Sequence, residues 1–144
     1  MQLNTKNLQD VDISRPVIED GLYHVRLAAE IKDNKSKTGK NLVLTHEVLD
    51  VCNHRDTGEE VNKAVRIIRY LSLVPTENYD PDESLKKLAT ALEIEDGANL
   101  ELEDVQGAVV KAQIVYKPAE GDFQEGNDVK YWAAKDSDFV DPQM

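Results

Sequence analysis

His24, His46, His54 and Cys52 are the residues best suited to hold a metal or to act as nucleophile and base, and their spacing argues against both uses. The histidines lie far apart and fall differently on the segments that carry them, and Cys52 has no CxxC partner, so no zinc set forms. By alternation His24 points outward, whereas His46 falls in an apolar row and reads as a satisfied core or barrel-end histidine. The acids between positions 93 and 104 lack the fixed spacing and glycine of a calcium loop and read as a solvated connection. No phosphate-binding glycine motif, nucleophile elbow or HExxH pair is present. The expectation is a protein that is not an enzyme and needs no metal or cofactor.

Cations and aromatics suggest a different chemistry. "KDNKSKTGK" sets Lys32, Lys35, Lys37 and Lys40 within nine residues, and the flanking segments add Arg26, Arg66, Arg69, Lys111, Lys117 and Lys130. Among them stand Tyr23, Tyr70, Tyr116, Tyr131 and Trp132, the last two beside Lys130 in "KYW". Binding a single nucleic-acid strand needs this combination: positive charge to track phosphates and ring faces on which bases stack. The plainer alternative is that the tyrosines fill a small core and the lysines keep a hairpin soluble.

The elements that must position these residues follow from period. Residues 21–31 alternate with Tyr23, Val25, Leu27, Ala29 and Ile31 on one side, which predicts a half-buried strand. Residues 41–51 predict a second strand, joined to the first by a solvated lysine hairpin in which Gly39 supplies a positive backbone angle. Gly58 pivots a turn before a third strand over 64–74, where Arg69 interrupts an apolar row and suggests a bulge or a change of face. Residues 80–95 switch to helical period, with Asp80 as N-cap, Pro81 in the first turn, Leu85, Leu88, Ala89 and Leu92 as the buried stripe, and Gly97 as the stop. Strands over 108–117 and 128–134 follow, the first after a turn at Gly107. Three strands, one helix and two strands are the order of a five-stranded Greek-key barrel, the OB-fold, with its helix between strands 3 and 4. A half-open sandwich with the helix on one face is the competing architecture. The organisation is then an N-terminal extension over 1–20, an OB-fold-like domain over 21–135 and an acidic tail over 136–144.

The chain has 144 residues, enough for one core, with 40% hydrophobic residues and a net charge of −11. That charge is unevenly placed. Residues 75–107 hold ten acids and two lysines, whereas 21–74 hold nine lysines and arginines against seven acids. The strand-rich segments therefore escape the acidity that would argue against a nucleic-acid partner. The apolar runs are too short to span a bilayer, the N-terminus has no apolar leader, and a lone cysteine suits a reducing compartment. A cytoplasmic protein, in a bacterial or virus-infected cell, is the expectation.

"GLYHVRLAAEIKDNKSKTGKNLVLTHEVLD", with "SLKKLATALEI" and "DVQGAVVKAQIVYK" after it, resembles a family of small phage proteins: OB-fold single-stranded-DNA-binding proteins of replication and recombination. The shared features are the opening Gly21 to Tyr23, the lysine loop at Lys35 to Gly39, the strand from Leu42 to Asp50, the helix from Leu85 to Leu92, and the strand over Val105 to Val115. His46 departs from the pattern, which usually has an aromatic or aliphatic residue there. The resemblance implies a non-enzymatic protein that coats single-stranded DNA in an infected cell, with its acidic tail recruiting replication or recombination proteins.

In this reading Lys35, Lys37 and Lys40, with Lys32, Lys111 and Lys130, contact phosphate; Arg26, Arg66 and Arg69 line the groove; Tyr70, Tyr131 or Trp132 stack bases. The tail residues Asp136, Asp138, Phe139, Val140 and Asp141 either occupy the protein's own basic groove or dock on a partner, unless they are simply a frayed end. Exposed strand edges suit a monomer or a homodimer. Two other functions fit the composition: a structural or adaptor protein of the virion using a small barrel for protein contacts, and an inhibitor whose acidic surface mimics nucleic acid.

Overall fold

Alternation in "GLYHVRLAAEIKD" produces one long strand, β1 (Gly21–Asp33), whose odd-numbered side chains from Val25 to Ala29 are buried and whose even-numbered ones face out. In the computed structural model, which describes residues 1–3, 16–33, 39–94, 99–122 and 124–137, this strand is the centre of the sheet. Its second part pairs antiparallel with β2 (Lys40–Val48), from Val25 opposite Val48 to Asp33 opposite Lys40. Its first part pairs with β4 (Val109–Lys117), from Gly21 opposite Ile114 to Arg26 opposite Val109. β3 (Arg66–Ser72) adds to β2, and β5 (Gly126–Ala134) adds to β4. The result is a mainly-β protein built on one five-stranded antiparallel sheet, in the order β3-β2-β1-β4-β5.

The sheet is not closed into a barrel, because β3 and β5 are the two ends of that order. It curls until β5 meets β3 and β2 through side chains. Arg69 Nη1 on β3 donates to the Val129 carbonyl on β5 at 3.2 Å, and Trp132 Nε1 on β5 donates to His46 Nε2 on β2 at 3.0 Å. The expected irregularity at Arg69 is absent: β3 keeps its alternation with Ile67 and Leu71 buried, and Arg69 stays on the inner row, half-buried at the seam. The bulge falls on β5 instead, where Tyr131 opposes Gln113 and Val129 opposes Ile114, so that Lys130 is skipped.

α1 (Pro81–Ala91) packs against β5 and β3 and covers the seam region. Asp80 caps it, its carboxylate accepting from the Asp82 N–H at 2.9 Å, and Pro81, Leu88 and Ala91 are buried, with Leu85 and Leu92 packed at the margin of the core. The helix ends before the predicted stop at Gly97, with Glu93 taking a left-handed backbone at φ 60°. A single further turn, α2 (Leu102–Val105), lies where a loop was expected; the Glu101 N–H donates to Asp104 Oδ2 at 3.0 Å and Val105 is buried.

Two glycines mark where side chains have no room or the backbone turns. Gly39 does not have the positive angle predicted for it; an added Cβ would collide with Val74, so closeness to the end of β3 requires glycine there. Gly107, at φ 75°, turns the chain out of α2 as its N–H donates to the Leu27 carbonyl at 2.8 Å.

The core gathers Val25, Leu27, Leu44, Ile67, Leu88, Val110 and Ile114, with Ile18 fully buried among them. Ile18 lies in the segment expected to be an extension. Its backbone is clamped by the Asn127 carboxamide, which accepts from the Ile18 N–H at 2.9 Å and donates to its carbonyl at 3.0 Å. Among the described residues, no helix is long and apolar enough to cross a membrane.

Candidate nucleic-acid interface

The even-numbered positions of β1, and their partners on β2 and β3, form the outer face of the curled sheet. Register sets them in rows running across the strands: Lys32 beside Asn41 and Ser72, Glu30 beside Val43 and Tyr70, Ala28 beside Thr45 and Ile68, Arg26 beside Glu47 and Arg66. Tyr70 is 63% exposed, and Ile68 next to it on the same face is also exposed. Val43 is buried on this face but outside the main core, so the outer surface has a small apolar centre of its own. The Tyr70 ring and the aliphatic groups at that centre, with cations at either end, give a surface on which a planar ring can lie while an attached anion reaches a positive charge.

Each described cation around this centre has a carboxylate beside it. Arg26 and Arg66 share Glu47 at 3.7 and 3.6 Å, Lys32 lies 3.7 Å from Glu30, and Lys40 pairs with Asp33. All these groups are substantially exposed, so the pairs are weak and can exchange partners. A cleft of about 240 Å³ opens beside the arginines, lined by Ala28, Thr45 and Gly107 among others. Gln106 forms its edge and is strapped to β1 by two hydrogen bonds to the backbone of Ala29.

The other residues selected from the sequence are divided between different places. Lys35 and Lys37 fall outside the described residues, as do Asp138, Phe139, Val140 and Asp141. Lys111, on the outer side of β4, donates to the Ser137 carbonyl, and His24 beside it meets Asp50 Oδ2 at 3.0 Å and the Lys135 carbonyl at 3.1 Å. These contacts tie the root of the C-terminal segment to the sheet, with Asp136 exposed in the turn between them. Burial raises the Asp50 carboxyl, but hydrogen bonds from the His24 N–H and imidazole outweigh it and hold the group below its ordinary value. Lys130 and Tyr131 sit together on β5, the ammonium 5.6 Å from the ring centre.

Trp132 and Arg69 are not on the outer face. Trp132 opposes the fully buried Ala112, and the Arg69 guanidinium lies 4.6 Å from the centre of its ring, so the indole faces the seam rather than a docking strand. His46 completes this group. Its Nδ1 meets the Ile67 carbonyl at 2.9 Å, and a carbonyl can only accept, so Nδ1 carries the proton. The indole N–H can only donate, so Nε2 is the acceptor. The two rings are nearly coplanar, 10° apart with centroids 6.3 Å apart, as an edge-to-edge hydrogen bond requires. Burial, reinforced by the Arg69 charge and opposed by the backbone hydrogen bonds and Asp128, brings the imidazole pKa down to about 4.

Sequence reasoning missed the three carboxylates that temper the outer face. Glu47 was visible as the outward neighbour of Thr45, but its place between two arginines depends on register, which composition does not reveal. Among the described residues no group of three or more His, Cys, Asp or Glu is arranged to hold a metal ion. Comparison with protein-family models and with curated proteins finds no match.

Proposed function

We propose that this chain is a non-catalytic single-stranded-DNA-binding protein that receives the strand on the outer face of β1, β2 and β3, and that its curled sheet is an OB-type barrel sealed by side chains. The observation that carries the reading is the row of Arg66, Ile68 and Tyr70 on β3: an exposed aromatic and an exposed aliphatic side chain in line with a cation, beside the lysine-rich β1–β2 connection. On OB-folds the equivalent strand face and the loop between the first two strands are the nucleic-acid surface. The strand order and the proximity of β3 to β5 support that architecture, and the resemblance to phage replication and recombination proteins supports the biological setting, the cytoplasm of an infected cell. In that setting the acidic C-terminal segment recruits partner proteins.

Trp132 is partly buried at the seam and lies off the outer face, so the appropriate assay reports on the DNA. Fluorescence anisotropy of labelled oligo(dT) is expected to rise on adding the protein at low salt, and the affinity to fall steeply as salt is added, because phosphate contacts release counterions. No change in anisotropy at low salt would refute the reading.

A further inference from the structure

Arg26, Glu47 and Arg66 are register partners on three adjacent strands, so the backbone fixes them in one line across the outer face. One carboxylate stands between two guanidinium groups and cannot neutralise both. Its distances to them, 3.7 and 3.6 Å, exceed those of directed hydrogen bonds, which leaves most of the arginine N–H donors uncommitted to it. The arginine side chains are 55% and 60% exposed against 36% for Glu47, so the cations project beyond the acid. Beside them is the cleft over Ala28, Thr45 and Gly107, where small side chains leave room for a ligand.

We propose that Arg26 and Arg66 form a subsite for one phosphodiester group, and that Glu47 holds the place of that group in the free protein. The inference rests on the single-stranded-DNA reading and adds a regulatory element to it. A phosphodiester carries one negative charge on two non-bridging oxygens, each able to accept from a guanidinium fork, so it replaces the carboxylate charge for charge with better donor geometry. Glu47 then acts as a brake: the strand must displace it, which lowers affinity and leaves weakly held anions outside.

The test is anisotropy of labelled oligo(dT) with the full chain and with Glu47→Gln over a salt series. The variant is expected to bind several-fold more tightly, and its plot of log affinity against log salt to steepen, because no displaced carboxylate is left to take up a cation from the salt when the strand binds. Adding Arg66→Ala in that background should remove both gains. If the wild type binds and Glu47→Gln changes neither affinity nor slope, the subsite is overturned while the DNA reading stands. If neither protein binds at low salt, the DNA reading fails and the subsite with it. Inorganic pyrophosphate serves as the free-anion arm: displacement of oligo(dT) from Glu47→Gln at equal phosphate concentration would overturn assignment of the subsite to a strand. Thermal unfolding of each variant separates lost binding from a lost fold.

Discussion

His46 has two ring nitrogens at a fully buried position, and each has found a partner of the right polarity. Neutral imidazole satisfies both; the protonated ring would turn an N–H toward the indole N–H and place a charge near Arg69, with Asp128 the acid that partly offsets it. Folded His46 has a pKa of about 4 against an ordinary 6.5, so between these values the unfolded chain binds more protons than the folded one. Stability is therefore complete above about pH 6.5 and falls as the pH drops toward 4, by on the order of 3 kcal/mol from this residue. Urea unfolding over that range measures the fall, and His46→Phe should flatten the His46 part of it. Tyr70 makes the opposite case, a large ring left in water. Tyr70→Ala is expected to weaken oligo(dT) binding by about 1–3 kcal/mol, while shifting stability by no more than about 0.5 kcal/mol. Equal binding by the variant would remove Tyr70 from the interface. Sequence could identify His46 as a core histidine from its place in an apolar row. It could not identify the partners, because Ile67 is set opposite it by the β2–β3 register and Trp132 reaches it through the curl of the sheet.

Elements were more legible than their ends. Period alone places β1, β2, β3, α1, β4 and β5 in order, because each buries one face and so carries an alternating or helical stripe. Their limits shift by several residues where tertiary contacts decide: β1 extends through Lys32 and Asp33, whose partners on β2 continue the ladder, and α1 stops at Ala91 rather than running toward residue 95. α2 escaped notice because one turn offers no periodicity; the Glu101 and Asp104 spacing was its only local signal. The Asp80 cap was fully visible, since aspartate before proline and two acids is a local pattern. Asp80→Ala should cost about 1 kcal/mol, read as a lower urea midpoint at unchanged slope. A change confined to the slope would assign Asp80 a different role.

At the scale of the whole molecule, the charge map and the fold agree. The acid-rich segment contains α1, which packs on β5 and β3, and α2, which packs on β1, whereas the lysine-rich connection joins two strands of the outer face. What the charge map could not show is the pairing of acid with base inside the face itself, since Glu30, Asp33 and Glu47 are brought beside cations by strand register. Changing Lys35, Lys37 and Lys40 together to alanine is expected to flatten the salt dependence of oligo(dT) affinity by about 2 in log–log slope, on the basis of roughly 0.7 per phosphate. An unaltered slope would move the phosphate contacts away from the connection. Closure likewise exceeded what order could reveal, because strand order is compatible with either a laddered or an open seam. The seam that formed contains the only tryptophan of the chain. The protein thus has a built-in optical gauge whose emission responds to the joining of β3 and β5 and is screened from whatever rests on the outer face. An oligonucleotide that changes anisotropy and leaves the indole spectrum fixed binds a rigid shell, whereas one that shifts the spectrum has loosened or tightened the far side of the sheet.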